Sequence, residues 1–361
     1  MRHSETAMRS LRPLAVFLIL CSLVADLTAD RWVFTSPSQS KELLRFRFND
    51  QSGQLTERTA IPMAGNPFVM TTDQTGDILY VSFRGPESIG AFRINRKTGG
   101  LTPVGTRTID ETPAYLFVDK ERRVLFSAYY RAGLTMVHRL DRNGAVSSAE
   151  PQIIKTAERA HSVMIDKSNR FVYVPHTRPE SIFGFRYDPT GRNLQPLNPP
   201  ITKTPLGFGP RHLQFHPNGR HLFVDNEQGD SLTCYSIDRN TGTLRSRQTV
   251  STIPADWTQN NSTSDFQITS DGRFAYVCNR GHNSLAMIAI DPKTGQMKSL
   301  GQQPIGEVVR SISIPPGDRF VIVGGTVTGQ LAVHAINPQN GKLTFRGKYE
   351  AGPRIWWVLN V

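Results

Sequence analysis

Cysteine is scarce: Cys21, Cys234 and Cys278 are the only three in 361 residues. Two thiols beyond residue 29 make no disulfide framework, so a packed core has to hold the chain together. They fall on different strands of neighbouring repeat units and are expected as two separate buried thiols. No His, Cys or acidic set has the spacing of a structural zinc site, and no metal or cofactor is implied. A Gly-x-Ser-x-Gly elbow is missing too, which removes the usual layout of a serine nucleophile. Acidic residues are the minority charge, 30 against 42 Lys and Arg, for a net +12. Such a balance attracts an anion: a phosphorylated or carboxylated small molecule, nucleic acid or an acidic surface. With no single-strand-binding motif beside the charge, nucleic acid is the weakest of these and is not expected as a partner.

Long apolar runs are also lacking, with one exception. Arg2, Arg9 and Arg12 lead into the uncharged stretch Leu14 to Ala25, followed by Leu27-Thr28-Ala29. The stretch is too short to span a bilayer comfortably and has the layout of a secretory signal peptide. The expectation is a leader over 1–29, export to the periplasm or the exterior, and no stable membrane insertion after cleavage. Three Arg, Glu5 and Asp26 leave with it, so the mature chain stays near +11.

Length alone allows two or three domains. What the remainder contains is a repeat. A short apolar strand follows Arg31, Asp77, Arg123, Arg170, Arg220, Arg273 and Arg319, at successive spacings of 46, 46, 47, 50, 53 and 46. Ile78-Leu79-Tyr80-Val81, Phe171-Val172-Tyr173-Val174 and Phe274-Ala275-Tyr276-Val277 are typical: short, β-branched and aromatic. A polar residue followed by a glycine turn recurs behind them, from Asn95 to Gly99, Asp188 to Gly191, Asp238 to Gly242, Asp291 to Gly295 and Asn337 to Gly341. These read as hairpins, preceded by alternating strands such as Ser231 to Ile237. No segment sustains a helical period. Seven four-stranded units without helices predict an all-β, seven-bladed β-propeller occupying residues 30–361 as one domain. Arg354-Ile355-Trp356-Trp357-Val358 repeats the start of a unit and then the chain stops, so the C-terminal strand is expected to close the ring on the blade begun at Arg31, hiding both edges.

In an antiparallel unit the start of the innermost strand and the end of the next lie at the same end. That rule sets Phe68, Ala114, His161, Arg211, Ser264, Arg310 and Arg354 around one mouth of the channel, together with Arg84, Tyr130, Thr177, Glu227, Arg280 and Thr326, with His176 beside them. The recurring anchor arginines read as turn residues, because they repeat in every blade while a site occurs once. The rim of blades four to seven carries varied charge and reads as an anion-attracting pocket. An equally plain alternative is that Arg211 and Glu227 merely pair and His161 is a hydrogen-bonded rim residue.

His216-Pro217-Asn218-Gly219-Arg220 through Asn226-Glu227 to Tyr235-Ser236-Ile237-Asp238, and Ser270 through Asn279-Arg280-Gly281-His282 to Ser284, resemble the seven-bladed propeller lactonases. That family includes bacterial 6-phosphogluconolactonases and fungal carboxymuconate-lactonizing enzymes. The resemblance implies a site at one mouth using a histidine, two arginines and a glutamate, here His161, Arg211, Arg280 and Glu227 as catalytic residues. Arg310, Arg354, His176 and Asp265 are the candidate substrate-binding residues. The expected activity is hydrolysis of a sugar or sugar-acid lactone by a monomer whose partner is a small anionic lactone or carboxylate. A carboxymuconate cyclase and a non-catalytic binding propeller are the alternatives.

Overall fold

The computed structural model describes residues 31–361. The leader expected over 1–29 lies outside the described residues. Twenty-eight strands form seven antiparallel sheets of four, and no helix occurs among the described residues. Blade 1 is ordered Ile355–Asn360, Arg31–Pro37, Glu42–Phe48 and Leu55–Pro62, so the last strand of the chain is the inner strand of the first blade. The remaining blades each take four consecutive strands.

Position within a blade dictates the sequence of each strand. The second strand is covered on both faces by neighbouring blades; Phe171–His176, His221–Asn226 and Phe274–Asn279 are buried at every residue. This explains why the repeated anchors open into continuous apolar runs rather than alternating ones. The outermost strand touches solvent and does alternate, as Leu55–Pro62 does. The core is therefore seven wedges, one between each pair of adjacent blades. Blades 5 and 6 meet through Phe223, Leu232 and Cys234 against Phe266, Val277 and Ile288. Cys234 and Cys278 are both buried free thiols, as their different strands required.

Buried polar links also fasten neighbouring blades. Tyr80, Tyr173 and Tyr276, each on a second strand, donate to the carbonyls of Gly144, Gly242 and Gly341 in the next blade at 2.6–2.9 Å. Gly242 sits at φ 78°, and its Cα lies against the Phe171 ring of blade 4, so the hairpin turn and the blade contact both exclude a side chain there.

The inner strands share a second device. In five of them one extra residue opposes the second strand near the mouth, at Pro67/Met70, Pro210/Leu213, Thr263/Phe266, Val309/Ser311 and opposite Ser36/Pro37. Such β-bulges re-aim side chains locally. They set the positions from which the mouth is built.

Candidate active site

A cavity of about 580 Å³ opens at the mouth end of the channel. The bulged positions supply Phe68, Arg211, His212, Arg310 and Trp356, His161 comes from the equivalent place in blade 4, and the ends of second strands supply Arg84 and Glu227. Trp357, Tyr130, Arg131 and the acidic residues Glu87, Asp110 and Glu111 complete the wall. Three of the four residues assigned catalytic roles from sequence thus line one cavity.

Arg280 stands one step back. Its Nη2 donates to Glu227 Oε1 at 2.5 Å and to the Thr263 carbonyl at 2.7 Å, and it does not line the cavity. Glu227 Oε2 is 3.8 Å from Arg211 Nε. Burial alone would raise the Glu227 carboxyl, but Arg211 and Arg280 outweigh it and hold the group below the usual glutamate value. Glu227 is therefore an anchored carboxylate.

His161 is in the opposite situation. It is buried, its Nδ1 has no hydrogen-bond partner, and its ring meets Tyr130 and His212 edge-on at 5.5 and 5.2 Å between centroids. Burial first, then the positive charges of Arg211 and Arg310, push its pKa well below 6.5. It stands as a neutral imidazole among guanidinium groups. Arg310 lies 3.6 Å over the Trp356 ring and Arg84 3.6 Å over Phe68, while Phe68 and Trp356 pack at 4.7 Å. Stacking of this kind fixes a guanidinium plane and leaves its N–H edges available to an anion.

Three sequence expectations need correction on placement. Arg354 is exposed and outside the cavity: Ile355 pairs with Pro37, as Pro210 pairs with Asn226, so the bulged position of the last strand is Trp356, and Trp356 and Trp357 reach the mouth instead. The short final strand matches the others in sequence by its arginine, and nothing in its composition marks the two-residue offset. His176 is fully buried and turned away, held by the Val174 carbonyl at 3.0 Å and by Thr156 Oγ1 at 2.8 Å. Alternation along its strand sends it to the face opposite the rim. Asp265 does not touch the cavity; it lies behind His212, accepting from His212 Nδ1 at 2.9 Å and from the amides of Phe266 and Ile312. Burial raises its carboxyl to about 7. His212 escaped the sequence reading because the register marks one rim residue per strand, whereas the bulge presents two.

A closed seven-bladed propeller with a basic, aromatic-walled mouth and a neutral histidine defines a class of small-molecule enzymes or binding modules; comparison with known proteins narrows it. Residues 31–360 match the family model described as lactonase, 7-bladed beta-propeller. A 6-phosphogluconolactonase of Enterobacter sp. (strain 638) is 30% identical over 329 residues, covering 91% of this chain and 98% of that one. One from Cronobacter sakazakii is 28% identical, covering 91% and 97%. Among solved structures, the periplasmic gluconolactonase PpgL of Pseudomonas aeruginosa superposes with a TM-score of 0.84 at 24% identity, over 92% of this chain and 99% of that one, a likeness of fold. The chain belongs to the seven-bladed β-propeller lactonase family. It is a lactone-hydrolysing enzyme, and the non-catalytic alternative falls.

Proposed function

We propose that the mouth cavity hydrolyses the ring ester of a sugar or sugar-acid lactone, with His161 as the base that activates water and Arg211 and Arg310 as the donors that receive the carbonyl oxyanion. The observation that carries this reading is a neutral imidazole lining the same cavity as the Arg211 and Arg310 guanidinium groups. His161 takes a proton from water as the hydroxide adds to the carbonyl carbon. The tetrahedral oxyanion forms against guanidinium N–H groups already in place, the largest kind of catalytic contribution in such chemistry. When the ring C–O bond breaks, the proton on His161 passes to the leaving alkoxide, and the hydroxy-acid product is released. Glu227 stays ionised and holds Arg211 and Arg280 in position. Glu87, Asp110 and Glu111 offer acceptors to sugar hydroxyls, while Tyr130 and Trp357 supply apolar faces to the ring.

The test is a panel of the mature protein on gluconolactone, its 6-phosphate and carboxymuconates. Turnover of a sugar lactone is expected; turnover of carboxymuconate alone would replace hydrolysis with the cyclase reaction, and no turnover would end the reading. His161→Ala should lower kcat by about 10²–10⁴, the usual worth of a positioned base. Because only the neutral imidazole serves and its pKa lies well below 6.5, activity should hold through neutrality and fall only as pH drops through the lowered value. Asp265, whose carboxyl lies at about 7, is the other group near the site that titrates there, so an acid limb centred at or above 6.5 in kcat/KM that persists in Asp265→Asn would remove His161 as the base.

We also assign the enzyme to an exported location. The basic, apolar N-terminus supports this, as does the likeness to a periplasmic gluconolactonase. In a host with a Sec pathway the protein should lose about 25–29 residues, and mass spectrometry of an exported fraction still carrying Met1 would contradict it.

A further inference from the structure

The geometry points to His212 and Asp265 as positioning residues that hold the Arg211 guanidinium in the plane from which it serves the oxyanion. Arg211 is a long cation inside the channel wall, drawn by the charge of Glu227 but without a hydrogen bond to it. Its Nε is buried without a hydrogen-bond partner, since Glu227 Oε2 at 3.8 Å is out of reach. The hydrogen bond that the guanidinium does make to the protein is from Nη1 to His212 Nε2, at 3.1 Å. For that bond to exist, Nε2 must carry a lone pair, so the ring proton must sit on Nδ1. Asp265 Oδ1, 2.9 Å from Nδ1, is placed to accept that proton, and two backbone amides hold Asp265 itself. The backbone of His212 is also fixed, its N–H donating to Asp225 Oδ1 at 2.6 Å. The series from Ile312 and Phe266 through Asp265 and His212 to Arg211 runs across blades 7, 6 and 5, and all three side chains are buried. The same contact occupies the lone pair of His212, so this imidazole does not take the proton of water; it acts through Arg211.

This assignment rests on the lactonase reading, and a double-mutant cycle separates the two. Arg211→Ala and His212→Ala should each lower kcat/KM on the hydrolysed lactone by about 10²–10³, the worth of one oxyanion donor. The double variant should fall only a few-fold further, because a residue that works through Arg211 has nothing left to position. A double loss near the product of the singles would overturn the proposal and make His212 an independent catalytic group. His212→Gln guards against a packing artefact: its amide keeps one donor for Asp265 and one acceptor for Arg211 without any basicity, so it should recover most of the activity lost in His212→Ala. A glutamine variant as inactive as the alanine one, yet melting like wild type, would also overturn it. The same cycle read as Kd for the gluconate product keeps the test valid if no lactone in the panel is turned over: non-additive losses support the clamp, additive ones refute it.

Discussion

Removing residues 353–361 should destroy the fold and the site together. Ile355 and Val358 are fully or nearly buried between blades 7 and 1, and burying an aliphatic side chain is worth about 1.5–3 kcal/mol each. The strand also pairs with Arg31–Pro37 along its length, and the Val358 N–H donates to Ser311 Oγ of blade 7 at 3.0 Å. Against a total stability of about 5–15 kcal/mol for an ordinary domain, losing these terms and exposing two blade edges is decisive. The truncated protein should emerge aggregated in size-exclusion chromatography and lack a cooperative melt. Its residual soluble fraction should have no lactonase activity, since Trp356 and Trp357 leave the cavity wall. A truncated protein that melts with the full chain would show that the ring closes elsewhere.

The second large effect is chemical. Arg211→Ala should lower kcat/KM by about 10²–10³ with circular dichroism unchanged. Arg211→Lys should recover little of it. A lysine ammonium is a point charge that cannot meet His212 Nε2 and direct a planar pair of donors at substrate simultaneously. Steady-state kinetics on the lactone that the panel selects would decide it, and a lysine variant at wild-type rate would mean that charge alone, without the fork, is what the site needs.

Much of this architecture is legible in the residues. The anchors at Arg31 through Arg319 each mark the edge of a doubly covered strand, and doubly covered strands must be apolar throughout, so the repeat had to surface as a run of Val, Phe, Tyr and Ile. The same register brings His161, Arg211 and Glu227 to one rim because side-chain period and strand direction are fixed in an antiparallel blade. What stayed hidden depends on single extra residues. A bulge gives no compositional mark, so the sequence points to Arg354 and not Trp356, and to Arg211 without its neighbour His212. Contacts between blades are equally silent: Asp265 sits 53 residues from His212, and only the curvature of the ring brings the carboxylate against the imidazole.

The ring closure settles where the ends of the folded chain stand relative to the cavity. Trp32 and Val361 exchange two backbone hydrogen bonds, at 3.1 and 2.9 Å, where the second strand of blade 1 begins and its inner strand finishes. The strand from Arg31 then runs toward the mouth and the one from Ile355 runs away from it. Both ends accordingly lie on the far side of the disc, side by side. A tether, a fusion partner or a solid support attached at either end would hold the propeller with its reactive face turned outward, and joining the two ends by a short linker would leave substrate access untouched.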